Sequence, residues 1–163
     1  MRAYLHKMKT CFFLLVASLI FTKSFAQTDS LQIADINKIK QEIKDSVPTF
    51  QMIEKATDPG GGYRHAYLKN NSVVLTIIYH RDQNIDKYVE WYFSGGQLIY
   101  SEQIWTNVKT GKIVDNEKFY LVGGRLFAWI KMDGSAINKS SKQFRDFDSG
   151  LETYAIKLQA DAK

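Results

Sequence analysis

The residue types that could do chemistry in this chain are few, and their spacing argues against it. Past residue 26 the only histidines are His65 and His80, and neither has a further ligand at a metal-binding spacing. His80-Arg81-Asp82 repeats three letters of a kinase catalytic loop without the glycine-rich loop or the following Asn that would support it. Asp146, Asp148 and Glu152 gather near the C-terminus, where a solvated helix face accounts for them better than a metal or acid–base pair does. Lys109-Thr110-Gly111-Lys112 lacks the spacing of a phosphate-binding loop and reads as a turn. Asn70-Asn71-Ser72 and Asn138-Lys139-Ser140 match the N-glycosylation acceptor pattern, which matters only in a eukaryotic secretory route. No nucleophile stands beside a base. The expectation is a protein that is not an enzyme and uses no metal and no cofactor.

The N-terminus predicts where the chain goes. Arg2, Lys7 and Lys9 precede an apolar run from Cys11 to Phe21, and Ser24-Phe25-Ala26 offers small residues at a cleavage site before Gln27. This is the pattern of a secretory signal peptide over residues 1–26, with an apolar run too short to span a bilayer. The expected product is periplasmic or secreted, with no membrane insertion after cleavage. The leader holds four of the 22 Lys and Arg and none of the 17 Asp and Glu, so the remainder has 18 basic against 17 acidic residues. A balance near zero offers no argument for nucleic acid or an anionic surface as partner. The single cysteine also leaves with the leader, and residues 27–163 are enough for one domain with its own core.

Three stretches then repeat one form: Tyr67-Leu68-Lys69-Asn70-Asn71-Ser72-Val73-Val74, Tyr92-Phe93-Ser94-Gly95-Gly96-Gln97-Leu98-Ile99 and Tyr120-Leu121-Val122-Gly123-Gly124-Arg125-Leu126-Phe127. Asn and Gly tolerate the positive φ of a two-residue hairpin turn, and the flanking Val, Ile, Tyr, Phe and Trp suit strands. Before them, Ile33, Ile36, Ile39, Ile43 and Val47 fall on one side of a helix. After them, Phe144, Phe147, Leu151, Tyr154, Ala155 and Leu158 do the same, with Ser140 and Gln143 as a capping box. Thr49 to Ala56 reads as an irregular or edge segment, and Pro59 to Gly62 as a loop. The predicted fold is α+β: an antiparallel meander of about six strands, with both helices packed on one face.

If opposed residues pair without a break on either side of each turn, the faces separate. One holds Ala66, Leu68, Val73, Leu75, Ile77, Val89, Trp91, Phe93, Leu98, Tyr100, Phe119, Leu121, Leu126, Ala128 and Ile130, and should form the core. The other collects Tyr63, Tyr67, Val74, Ile78, Tyr92, Ile99, Tyr120, Phe127 and Trp129, among His65, Thr76, Glu90, Ser101 and Lys118. Aromatic side chains mixed with hydrogen-bonding groups suit a half-wet surface. Stabilising cross-strand pairs would explain such a face, and so would a binding surface anchored by Tyr67, Tyr92, Tyr120, Phe127 and Trp129. A bulge in any hairpin would exchange the faces beyond it.

Phe25-Ala26-Gln27, the Ile-rich first helix, Thr57-Asp58-Pro59-Gly60-Gly61, the repeated Tyr-Phe-x-x-Gly-x-Leu hairpins and the closing helix together resemble a group of small secreted proteins of Gram-negative bacteria. Asn70-Asn71 departs from the usual glycine-containing turn and Pro59 interrupts the glycine segment. The resemblance implies a periplasmic or secreted α+β protein and brings no activity or catalytic residue with it. The reading is therefore a binding module whose partner is an envelope protein, a glycan or a second copy. Two alternatives stand beside it: an inhibitor that inserts its 107–115 loop into a secreted hydrolase, and a hydrolase with an unrecognised site.

Overall fold

The computed structural model describes residues 29–58 and 62–162. The expected leader and Pro59 to Gly61 of the expected loop lie outside them. Helix α1 covers residues 29–46. Its residues up to Asn37 belong to one unit, and Lys38–Lys163 form a second. A 3₁₀ turn, Val47–Thr49, has Pro48 in its first turn, where the missing N–H costs nothing. Seven strands follow: β1 Gln51–Asp58, β2 Gly62–Lys69, β3 Ser72–Arg81, β4 Ile85–Ser94, β5 Gln97–Asn107, β6 Ile113–Val122 and β7 Arg125–Ile130. Helix α2, Lys142–Ala160, closes the chain.

The strands pair in sequence order as one antiparallel meander. The fold is α+β, with one more strand than expected. The extra one is β1, the segment read as irregular or edge. It lies at the edge of the sheet, and only β2 pairs with it. The three repeats make the predicted hairpins β2–β3, β4–β5 and β6–β7. Both residues of each turn have positive φ, 51° and 61° at Asn70-Asn71, 59° and 76° at Gly95-Gly96, and 60° and 77° at Gly123-Gly124. Asn is among the few residues besides Gly that visit this region readily, so it replaces the glycines without changing the turn.

Each hairpin also repeats a feature that the sequence does not announce. Leu68 faces Val73, but Tyr67 faces Leu75. Phe93 faces Leu98, but Tyr92 faces Tyr100. Leu121 faces Leu126, but Tyr120 faces Ala128. Val74, Ile99 and Phe127 are each an extra residue in the second strand, which is a β-bulge. One inserted residue inverts every side chain beyond it. The face assignment therefore holds for the first strand of every hairpin and reverses in the second strand past the bulge. Tyr100, Leu75, Ile77, Ala128 and Ile130 join the tyrosine face. Thr76, Ile78, Ser101 and Trp129 leave it for the other.

That other face carries the main core. Leu68, Trp91, Phe93, Phe119, Leu121 and Trp129 pack against Phe144, Leu151, Ala155 and Leu158 of α2. Phe147 stacks on Phe119 with centroids 4.6 Å apart. The helix starts one residue later than the predicted box: Ser141, not Ser140, is its N-cap, and its hydroxyl accepts from the Phe144 N–H. Asp148 fastens α2 to the third hairpin. Its carboxylate accepts from the Leu126 N–H at 2.8 Å and from the Arg125 guanidinium. The part of α1 that belongs to the sheet's unit, from Lys38 on, meets the opposite side of the sheet. Lys40 of α1 places its ammonium 4.4 Å above the Tyr100 ring, on the tyrosine face. The expectation of both helices on one face is thus corrected. The bulges give the sheet two apolar faces, and each needs cover.

Candidate functional site

The tyrosine face is built of three rows that cross the sheet. The first runs Tyr67, Leu75, Tyr92, Tyr100, Tyr120 and Ala128. The second runs Glu54, His65, Ile77, Glu90, Glu102, Lys118 and Ile130, and the third Tyr63, Tyr79, Tyr88, Ile104 and Asn116. Side chains two apart on a strand share a face, so Glu90 is within reach of phenols on both sides and Glu102 of one. Glu90 accepts from the Tyr88 hydroxyl at 2.8 Å and from the Tyr92 hydroxyl at 2.7 Å. Glu102 accepts from Tyr100 at 2.9 Å and from the Asn116 amide at 3.3 Å.

Burial and these acceptors set the ionisation of the phenols. Removal from water, and next the bond to Glu90, hold Tyr88 and Tyr92 well above the ordinary tyrosine range. Removal from water and then the Glu102 charge do the same to Tyr100. All three stay neutral donors at physiological pH. Lys40 is pulled below its usual value by burial, against the opposing pull of Glu102.

The row of repeat tyrosines forms as expected, with Leu75 and Tyr100 interleaved, but most of it lies inside. Tyr92 is 0% exposed and Tyr120 6%. Their rings meet Tyr100 edge-on, at 5.7 and 5.1 Å. Trp129, 4% exposed, is on the α2 face between Phe119 and Phe147. Phe127 is the half-buried bulge residue of the third hairpin and touches Tyr120. Of the five residues expected to anchor binding, Tyr67 and Phe127 keep a partly open surface, and three are core.

The open part of the face lies at its β2–β4 end. Tyr63 stacks on His65 at 4.5 Å and on Tyr79 at 5.2 Å, with ring planes within 25° of parallel. Tyr67 meets His65 edge-on. Tyr63, His65, Tyr67, Tyr79 and Tyr88 are all half-buried. Burial raises the Tyr67 phenol, and burial with a bond to Asp86 raises Tyr79. Arg81 grips Asp86 with two bonds of 2.8 and 2.9 Å, which fixes the charged rim beside Tyr79. Glu54 of β1 approaches His65 at 3.6 Å. Met52, opposite Tyr67, is exposed. The alternation Tyr63-x-His65-x-Tyr67 signals this cluster in the sequence, but Tyr79 and Tyr88 join it only through pairing.

Of the expected 107–115 loop, 113–115 belong to β6 and 108–112 form a tight turn. The Asn107 side-chain oxygen accepts from the N–H groups of Lys109 and Thr110 at 3.1 and 3.0 Å. Among the described residues no group of three or more His, Cys, Asp or Glu is placed to hold a metal, and no helix is long and apolar enough to cross a membrane. Comparisons with protein-family models, curated proteins and solved structures returned no match.

Proposed function

We propose that this chain is a non-catalytic binding module of the cell envelope or exterior, and that it grips a protein partner through the β2–β4 end of its tyrosine face. The observation that carries the reading is the stack of Tyr63, His65, Tyr67 and Tyr79. It is half-open on a face where Tyr92 and Tyr100 are fully buried. Rings held in place by their neighbours offer contact area at little entropic cost, and their hydroxyls supply directed bonds. The stack runs up to β1, whose outer edge offers backbone donors and acceptors to an added strand. That edge favours a protein over a glycan. The non-catalytic part of the reading rests on Glu90 and Glu102, which are each engaged by two donors and so are poorly placed to act as bases. The exported location follows from the leader-like N-terminus.

Hydroxyl-radical footprinting tests the surface. Tyr63, Tyr67 and Tyr79 should oxidise readily in the purified protein and be protected in the compartment where the protein accumulates. Equal oxidation in both settings would rule out this surface as an occupied interface.

A further inference from the structure

On the opposite side of the sheet, α2 leaves a slot above β4 and β5. We infer that this slot binds a small organic cation of the quaternary or methylated ammonium class. It is an open groove of about 310 Å³, lined by Trp91, Gln103, Asp146, Phe147, Gly150, Leu151 and Tyr154. Phe147 and Tyr154 stand two helical turns apart on one side of α2, and Gly150 lies between them. Both walls are braced from behind. Phe147 stacks on Phe119, and Tyr154 leans on Trp91 with centroids 5.1 Å apart.

Gly150 is the residue that asks for an explanation. Glycine is among the worst helix formers, yet here it sits in the middle of a helix. A Cβ added at Gly150 would have nothing within 4 Å, and its φ is not in the left-handed region. Neither crowding nor backbone conformation requires glycine at this position. Its effect is to leave the space between the two rings unfilled.

The lining selects the class of guest. Trp, Tyr and Phe attract a cation through their ring quadrupoles. Asp146 puts a carboxylate at the rim. Its present partner is Lys142, one turn earlier on the same helix, and both side chains are largely in water. Such a pair is weak, so an arriving ammonium can take its place. Gln103 adds an uncharged polar group to the lining, and a neutral amide does not repel a cation. An anionic guest would meet Asp146, and a plain hydrocarbon would gain nothing from it.

The test is an NMR titration of the purified protein with choline chloride, run against sodium chloride and against choline's uncharged carbon isostere. The inference predicts saturable shifts of the Gly150 amide and the Trp91 indole N–H, with choline binding about tenfold more tightly than the isostere. Gly150→Ala should keep the fold and weaken choline several-fold, because its methyl takes up space between the rings. Asp146→Asn should weaken choline several-fold and leave the isostere unchanged. Equal affinity for the two guests, shifts matched by sodium chloride, no saturable shift, or full binding by Gly150→Ala would each overturn it.

Discussion

Asp148 is the point at which one side chain joins the last helix to the last hairpin, and its removal gives a graded prediction. The residue is 7% exposed and makes two kinds of contact. One is the bond from the buried Leu126 N–H. The other is the ion pair with Arg125, whose side chain is 71% exposed. An orphaned buried N–H costs roughly 1–3 kcal/mol, whereas an ion pair with one partner in water contributes at most about 1 kcal/mol. Asp148→Ala should therefore lose about 2–3 kcal/mol, Arg125→Ala clearly less, and Asp148→Asn, which keeps an acceptor for Leu126, an intermediate amount. By the usual scaling for a domain of this size, Asp148→Ala should melt roughly 8 °C lower.

The pH dependence adds a second check. Arg125 first, and then the Leu126 N–H, hold the Asp148 carboxyl below the usual range, against the upward push of burial. A carboxyl depressed in the folded state contributes stability that is complete above its unfolded value of about 4 and is lost as pH falls through the folded one. The gap between wild type and Asp148→Asn should thus be constant at neutral pH and close below about pH 4. Chemical denaturation across pH measures both effects. Equal losses for Asp148→Ala and Arg125→Ala would refute the reasoning, because the Leu126 bond would then count for nothing.

Tyr88→Phe and Tyr92→Phe each remove one donor from Glu90, and Tyr92→Phe, at the fully buried site, should cost about 1–3 kcal/mol. Their double mutant should be non-additive, since both act through one carboxylate; strict additivity in urea melts would contradict the shared-acceptor picture. Lys40→Met keeps an apolar stem over Tyr100 and removes a charge that burial disfavours. Its melting temperature should be equal to wild type or higher, and a fall of several degrees would show that the attraction to Glu102 outweighs desolvation.

Local chemistry made the turns legible. Asn70-Asn71, Gly95-Gly96 and Gly123-Gly124 need positive φ, and few other residues supply it. The two helices were legible from periodicity, and the α+β class followed from element order. The bulges were not. Val74, Ile99 and Phe127 are ordinary strand residues, and nothing in an isolated chain shows that one of them has no partner opposite. Three such insertions moved Tyr100 to one side of the sheet and Trp129 to the other, which took Trp129 out of the expected binding set. Tyr92 and Tyr120 kept their side but not their exposure. The end of α1 from Lys38 on covers the second apolar face, where Lys40 meets Tyr100. β1 is legible only as an irregular or edge segment because Gln51, Glu54 and Lys55 dilute its apolar pattern.

The claim that the contact surface is the stack at β2–β4, and not the repeated tyrosines, is tested most directly by photocrosslinking in the protein's own compartment. A photoreactive residue at position 79 should give a discrete adduct with a protein partner, and one at position 92, which is fully buried, should give none. An adduct from 92 with none from 79 would contradict the account.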